Sequence, residues 1–376
     1  MYPHGMPLSA LVRPRNRTAA GESGTEIIHR HRIGRVGMVG VAVAAVCATV
    51  FTAGCSSTEG EDAVVRTTTN IAGAGVVGLE RDTTRSCALP SAPDPAESDT
   101  RDVTHANGVS EVPADPQRIV VLTTSALDAV CAVGLWERVV GTTTLDGPDP
   151  QPGYLGYGVI DIPGVGTAAQ PDPAKIADLH PDLILGDTPT GSADYDALRA
   201  IAPTVLVGAN NSWQAEFSAF AAGLGRTRAA QSALADYRTA AQDTGKALSA
   251  NQTQASVVRF TDDAIRVQGT DSFAGQVLAD AGVQRPTAQR GTSFDVHEGE
   301  YADKLEGDLI YVDLAGEAGK EHGTAVMHSD EFEELSAASD KRVFAVDDTI
   351  WHGNGLTAAR ALLTDLNSSL NGYVTD

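Results

Sequence analysis

Short apolar runs alternate with amphipathic runs of helical period along most of the chain. The run "RIVVL" at residues 118–122 leads into the amphipathic segment "SALDAVCAVG" at residues 125–134, and "DLILG" and "TVLVG" each follow another helical segment. Strands that are apolar throughout are typical of a parallel sheet with both faces covered by helices. The rhythm resumes after residue 250 with "GDLIYVDL" and "KRVFAVD", so the pattern predicts two α/β lobes.

A different pattern separates the two lobes. Residues 212–250 are rich in alanine, carry apolar residues three and four positions apart and contain no proline. This spacing predicts one long helix or two joined helices, with Gly223 and Gly225 as the weak point, because glycine lowers helix stability. The predicted fold is therefore α/β, with two Rossmann-like lobes, each a central sheet flanked by helices, joined by one long rigid helix.

The residues before the first lobe lack this regularity. Residues 56–113 are rich in Ser, Thr, Asp, Pro and Gly, a composition typical of a flexible stalk. An edge strand is possible near Val103 to Val112. The predicted segments are 1–54 for a signal peptide with an N-terminal extension, 55–112 for the stalk, 113–211 for the N-terminal lobe, 212–250 for the connecting helix and 251–376 for the C-terminal lobe.

The N-terminus carries a secretory pattern. Three arginines precede the apolar run Val36 to Phe51, which ends in small residues and the sequence "TAGCSS". The apolar run is too short to span a bilayer comfortably. The segment resembles a bacterial lipoprotein signal with Cys55 as the lipidated residue, although Thr52 stands where Leu is usual. An ordinary cleaved signal and an uncleaved anchor remain alternatives, and the loop-like residues before the run leave open a start site downstream of Met1.

Charge and cysteine content narrow the choice of partners. The formal net charge is −22 in 376 residues, which argues against nucleic acid or an anionic membrane surface as the main partner. With Cys47 in the signal and Cys55 lipidated, Cys87 and Cys131 remain as an even pair in an oxidising compartment. This pair predicts a disulfide that fastens the N-terminal arm to the first lobe, with two unpaired thiols as the alternative.

The motifs argue against an enzyme. Three segments resemble the dinucleotide fingerprint, at Gly223, Gly164 and Gly353, but none lies in a strand–turn–helix–strand context. The chain has no Gly-x-Ser-x-Gly elbow, no His-Glu-x-x-His motif and no Walker loop. Its nine histidines are scattered, so we predict no catalytic residue, no resident cofactor and no metal site.

Five blocks in register carry a family resemblance. The segments "DPQRIVVLTTSALDAVCAVGLWERVVG", "DPAKIADLHPDLILG", "QVLADAGV", "LEGDLIYVD" and "WHGNGLTAARALLTDL" resemble the helical-backbone class of periplasmic binding proteins. The resemblance covers residues 112–376. These proteins serve ABC importers of ferric siderophores, haem and cobalamin, and the chain is similar to actinobacterial ferric-siderophore lipoproteins of the FecB type. The resemblance implies capture of a ferric siderophore or haem by a monomer, outside the cytoplasmic membrane, for delivery to an ABC importer.

The resemblance also implies where the ligand binds. Two lobes of this class face each other across a shallow cleft at the carboxyl ends of their strands, where ligands of open α/β sheets sit. Aromatic side chains would stack on the flat apolar part of the ligand, and arginine would bind its anionic oxygens. The candidate ligand-binding residues are Thr124, Ser125, Thr143, Tyr154, Tyr157, Trp213, Arg259, Phe294, His297, Trp351 and His352.

Only one of the two glutamates that the family pattern uses for contact with the permease is present in this sequence. Members of the class offer a glutamate on each lobe to arginines of the permease, and Glu300 fits the position on the second lobe. On the first lobe Ala174 stands where Glu is typical, with Asp172 or Asp178 as possible substitutes. The alternative function is an envelope lipoprotein of the same fold that acts by protein–protein contact rather than transport.

Overall fold

The computed structural model describes residues 66–67, 69–188, 191, 193–210 and 212–375. All of these residues belong to one unit of the structure. The predicted signal peptide and the predicted lipidation site at Cys55 lie outside the described residues. Among the described residues, no helix is both long enough and apolar enough to span a bilayer.

Strands and helices alternate through both halves of the described chain. The strands are β1 (Arg66–Thr67), β2 (Asn70–Ile71), β3 (Ala74–Val76), β4 (Thr100–His105), β5 (Gly108–Pro113), β6 (Ile119–Val121), β7 (Val139–Thr144), β8 (Gly164–Thr167), β9 (Leu183–Asp187), β10 (Thr204–Val207), β11 (Ala255–Phe260), β12 (Ile265–Val267), β13 (Phe294–Val296), β14 (Leu309–Leu314), β15 (Val343–Val346) and β16 (Tyr373–Val374).

The helices follow the amphipathic segments of the sequence. They are α1 (Thr124–Ala132), α2 (Pro173–Asp178), α3 (Tyr195–Ile201), α4 (Trp213–Leu224), α5 (Thr227–Ala247), α6 (Phe273–Asp280), α7 (Tyr301–Lys304), α8 (Gly316–Met327), α9 (Asp330–Glu333), α10 (Ser336–Ser339), α11 (Asp348–Trp351) and α12 (Leu356–Ser369).

Each lobe is built on one sheet. The first has five parallel strands in the order β10-β9-β6-β7-β8. The second has seven strands in the order β13-β12-β11-β14-β15-β3-β2, parallel at its centre and antiparallel at both edges. Strands β6, β10 and β15 are buried throughout, as expected when helices cover both faces. This architecture confirms the predicted α/β fold with two lobes.

The predicted stalk is wrong for residues 70–112, because most of that segment packs on the lobes. Strand β3 pairs in parallel with β15 and so belongs to the sheet of the second lobe. Strands β4 and β5 form an antiparallel hairpin, in which Val103 and Val112 are buried in the core. The sequence did not indicate that this arm packs on the lobes, because the segment has few apolar residues and only one or two side chains per strand enter the core.

A disulfide fastens the arm to the first lobe. Cys87 is bonded to Cys131 of α1, as the sequence predicted. The backbone N–H of Ala88 also donates to the Cys131 carbonyl at 3.0 Å. The bridge closes a loop across 44 positions of sequence, and cross-links of that span stabilise a fold by about 3–4 kcal/mol on the chain-entropy model.

The connection between the lobes is two helices rather than one long helix. Helix α4 ends at Gly225, whose φ of 66° is left-handed and whose Cα lies so close to Ala114 that a Cβ would meet its carbonyl oxygen. The N-terminal arm, residues 70–112, forms hydrogen bonds with both helices at this break. Arg101 donates to the carbonyls of Ala222 and Gly223 at the end of α4, and Asp94 accepts the Thr227 N–H at the start of α5 at 2.6 Å.

Asp128 ties the first lobe to the last helix of the chain. Its side chain projects from α1, is fully buried and accepts the backbone N–H groups of Thr357 and Ala358, each at 2.9 Å. The Tyr154 hydroxyl donates to the same carboxylate at 3.1 Å. The carboxylate therefore caps α12 from the opposite lobe, where the helix dipole favours negative charge. Gly355 permits this approach, because a Cβ there would lie 2.2 Å from the Asp128 carboxyl carbon.

We expect Asp128→Ala to lower the free energy of unfolding by about 3 kcal/mol, since two buried N–H groups and a buried hydroxyl lose their acceptor. Urea denaturation followed by circular dichroism measures this loss. The matched control is Asp196→Ala on α3, whose side chain is exposed and paired with Arg199, and it should change stability by less than about 1 kcal/mol. Equal effects of the two substitutions would contradict the role of Asp128.

Candidate ligand-binding site

A cavity of about 340 Å³ lies where the two lobes meet. The first helix of the connection reaches it through Trp213, and the second lobe contributes β12, the start of α6 and the loop between α11 and α12. Another cavity, of about 360 Å³, lies beside β2 and β3 at the far edge of the second sheet. The first cavity is the stronger candidate, because ligands of open α/β sheets bind at the carboxyl ends of strands. Its lining is Asn210, Trp213, Arg266, Gln268, Asp271, Ser272, Phe273, Gln276, Ser293, His352, Gly353 and Asn354.

Two buried N–H donors of the lining have no partner among the described residues. The Trp213 ring packs edge-on against Tyr237 and Phe273, at centroid distances of 4.9 and 5.9 Å, and is 1% exposed. Its Nε1 has no hydrogen-bond acceptor, and the same holds for Nε2 of Gln268, which directly follows β12. Buried polar groups are nearly always satisfied in folded proteins. Trp213 and Gln268 therefore place two neutral donors in the wall of this cavity that the fold leaves without a partner.

Carboxylates of the first lobe and of α4 lie next to this cavity. Asp187 ends β9 and accepts the Ser125 hydroxyl at 2.8 Å, while its other oxygen is buried without a partner. Glu216 accepts the side-chain amide of Asn354 at 2.6 Å, a hydrogen bond between α4 and the second lobe. Burial, and secondarily the charge of Asp187, raises the pKa of Glu216 to about 7.

Arg259 sits among acids on the second lobe. It donates to both carboxylate oxygens of Asp348, at 2.6 and 3.2 Å, and lies 3.6 Å from an oxygen of Asp313 on the neighbouring strand. Burial, and then the charge of Asp348, raises the pKa of Asp313 well above its usual range. Burial acts in the same direction on Asp348, but hydrogen bonds from Arg259 and Asp313 outweigh it and lower the pKa of Asp348. Asp348 is therefore the anionic partner of this arginine.

The structure brings only part of the predicted site together. Trp213 and His352 line the cavity. Ser125 contacts Asp187, and Arg259 lies near His352, since its charge helps to lower the pKa of that histidine. Thr124 begins α1 and is half-buried, whereas Thr143 is buried on β7 with its carbonyl accepting from Gln151.

Tyr154 and Trp351 are core residues, so the prediction that they face the cleft is wrong. Tyr154 is 3% exposed and its hydroxyl is bound to Asp128. Trp351 is 1% exposed, donates to Asp365 at 2.9 Å and packs on Tyr311 at a centroid distance of 4.3 Å. Both residues lie in segments that follow a strand, which suggested the cleft, but buried carboxylates hold their polar atoms in the core.

The other three candidates lie outside the cavity lining. Tyr157 is 80% exposed. Phe294 is half-buried on β13 under the Lys304 ammonium group, 5.6 Å from its ring centroid. His297 is exposed, and its backbone N–H donates to Glu300 at 3.1 Å.

Sequence reasoning missed the polar residues of the site. Gln268 and Glu216 carry no motif, and Asn354 lies in the glycine-rich segment at Gly353, which does not by itself indicate a ligand contact. Asp187 alone had a signal, because it directly follows the buried strand "LILG" as Thr123 follows "IVVL". Among the described residues, no group of three or more His, Cys, Asp or Glu side chains is arranged to hold a metal ion.

Two α/β lobes with a cavity between them define a two-lobed ligand-binding protein, and comparison with known proteins identifies the family. The family model "Periplasmic binding protein" matches residues 119–349. The probable siderophore-binding lipoprotein YfiY of Bacillus subtilis (strain 168) is 31% identical over 290 residues, which cover 73% of this chain and 88% of YfiY. The chain therefore belongs to the periplasmic binding protein family.

Two further relatives agree with this assignment. The petrobactin-binding protein YclQ of Bacillus subtilis (strain 168) is 25% identical over 278 residues, covering 69% of this chain and 84% of YclQ. The crystal structure of Staphylococcus aureus SirA complexed with staphyloferrin B superposes with a TM-score of 0.61 at 25% identity, over 72% of this chain and 99% of SirA. The relatives are thus binding proteins, and their likeness spans both lobes.

Replacement of Glu216 by Gln should change how stability depends on pH. Because folding raises the pKa of Glu216 to about 7, the folded state binds its proton more tightly than the unfolded state, and stability falls as pH rises from about 4.5 to about 7. Glu216→Gln keeps an oxygen for Asn354 but carries no charge. We expect the variant to be more stable than the native protein by about 2 kcal/mol at pH 8 and by much less at pH 5.

Urea denaturation of both proteins at pH 5 and pH 8 measures this difference. The matched control is Glu317→Gln on α8, where the side chain is 78% exposed and the difference should stay near zero at both pH values. If Glu216→Gln raises the free energy of unfolding by the same amount at both pH values, the charge of the carboxylate is not the cause of the difference.

Proposed function

We propose that this protein is an extracytoplasmic lipoprotein that captures a ferric siderophore between its two lobes and delivers it to an ABC importer. One observation carries the proposal: a cavity at the meeting of the lobes, lined by an aromatic residue and by buried donors that have no protein partner. The relatives support it, since YfiY is a probable siderophore-binding lipoprotein and SirA was crystallised with staphyloferrin B. The Asp128 cap supports a preformed cleft that closes only slightly on its ligand.

Anchorage and delivery follow from the same proposal. Lipid attached to Cys55 would hold the protein at the outer face of the cytoplasmic membrane, as a monomer. Glu300 would contact the permease, and it lies half-buried directly before α7. Haem or cobalamin is the alternative ligand within this class, and no resident cofactor is required for either.

A second function is favoured by one residue of the first lobe. Ala174 is exposed in the first turn of α2, where the family pattern has a glutamate for the permease. The neighbouring Asp172 is occupied in capping that helix, because it accepts the Ala174 N–H at 3.0 Å. Asp178 is exposed and would have to serve instead. Should neither acid dock, the protein would act as an envelope lipoprotein through protein–protein contact.

Titration of the protein with ferric siderophores, haem and cobalamin tests the transport proposal. We expect saturable quenching of tryptophan fluorescence by a ferric siderophore, because Trp213 lines the cavity.

Gln268→Leu keeps the side-chain volume but removes a buried donor, and it should weaken binding about tenfold with little change in stability. Gln252→Leu, at an exposed position, is the matched control and should bind like the native protein. No saturable response to any of these ligands would contradict transport.

A further inference from the structure

The cations around the cavity are already neutralised by the protein. Arg259 is held by both oxygens of Asp348. Arg266, which lines the cavity, pairs with Asp295 of the adjacent strand at 2.9 Å. The third cationic candidate is His352, which reaches solvent but lies among protein atoms and near two arginines, and both effects lower its pKa. A polyanionic ligand would therefore find no unpaired guanidinium among these residues.

Carboxylates on the same rim oppose an anionic ligand. Asp271 lines the cavity, and Glu216 touches the lining residue Asn354. The half-paired Asp187 lies close enough to Glu216 to raise its pKa. Within a partly desolvated cleft these charges act at low effective dielectric, where like charges repel more strongly than in water. The net charge of −22 adds a field of the same sign around the whole molecule.

The unsatisfied groups of the cavity are neutral donors. Trp213 offers an indole N–H and Gln268 an amide N–H, and both are at least 96% buried. Neutral donors suit the oxygens of a ferric trihydroxamate, because Fe³⁺ balances the three negative charges of the deprotonated hydroxamates and the core carries no net charge. The binding of multiply charged carboxylate or phosphate oxygens normally uses charged, bidentate partners, above all arginine.

We propose, on the basis of the function proposed above, that the cleft selects ferric chelates without net negative charge, of the hydroxamate type, over anionic carboxylate or catecholate chelates. The cavity wall offers neutral donors but no unpaired guanidinium, and the carboxylates at the rim favour any cationic group that the chelate carries. The ion pairs of Arg259 and Arg266 are the elements that exclude the anionic class.

The test compares chelates of different charge on the same protein. The probes are ferrioxamine B, a cationic ferric trihydroxamate, ferrichrome, a neutral one, and two anionic complexes, ferric citrate and ferric enterobactin. Dissociation constants from tryptophan quenching at pH 7.5 should be at least about tenfold lower for the two hydroxamates. Added salt should weaken the binding of ferrioxamine B but not that of ferrichrome, because salt screens only the charged interaction.

Two substitutions test the cause of the selectivity. Asp348→Asn removes the bidentate acceptor of Arg259 and leaves only Asp313, at 3.6 Å, so it should improve ferric citrate binding severalfold with ferrichrome binding unchanged. Asp295→Asn removes the carboxylate that pairs with Arg266 and should also improve ferric citrate binding. Because both side chains of this pair are exposed, we do not expect the substitution to disrupt the fold. Asp196→Asn releases the exposed Arg199 on α3 and is the control, with no effect on any probe.

The outcomes separate this inference from the function on which it rests. Tighter binding of ferric citrate or ferric enterobactin than of both hydroxamates would overturn the charge selectivity and leave siderophore capture intact. Absence of saturable binding to all four ferric chelates would overturn siderophore capture and the selectivity together. Selective binding of the hydroxamates without any effect of Asp348→Asn or Asp295→Asn would refute the role assigned to the ion pairs.

Discussion

The arrangement of the lobes depends on one buried carboxylate. Asp128 leaves α1 of the first lobe and caps the final helix of the chain through two backbone N–H groups, with a third hydrogen bond from Tyr154. Burial raises the pKa of Asp128, and the three hydrogen bonds oppose that effect, so the charge is tolerated only where all three donors are in place. The same helix α1 carries Cys131, so the disulfide fastens the arm to the helix whose carboxylate caps α12.

The N-terminal arm has a larger structural role than its composition suggests. Strand β3 extends the second sheet, the β4–β5 hairpin adds to the first lobe, and Arg101 holds the end of α4. The break at Gly225 is therefore stabilised from outside, by the arm, rather than by contacts of α4 and α5 alone. A tether that began directly at the first lobe would leave the carbonyls at this break without their charged donors.

Sequence patterns predicted the regular elements well and the site poorly, for a physical reason. The apolar strands and the disulfide between Cys87 and Cys131 are consequences of local composition and of compartment, so the sequence alone indicated them. Tyr154 and Trp351 were predicted in the cleft from their place in segments after strands, but their side chains are held inside by Asp128 and Asp365, which come from distant parts of the chain. Gln268 and Glu216 meet the cavity through long-range packing, which leaves no mark in the sequence near either residue.

We propose that a preformed cleft between tightly joined lobes binds a ferric chelate. A crystal structure of the protein grown with ferrioxamine B tests it most directly, because the anomalous signal of iron locates the ligand. We expect an iron peak in the cavity beside Trp213 and His352, with the Asp128 hydrogen bonds to α12 intact. An iron peak elsewhere, such as the cavity beside β2 and β3, or lobes rotated apart with those hydrogen bonds broken, would contradict it.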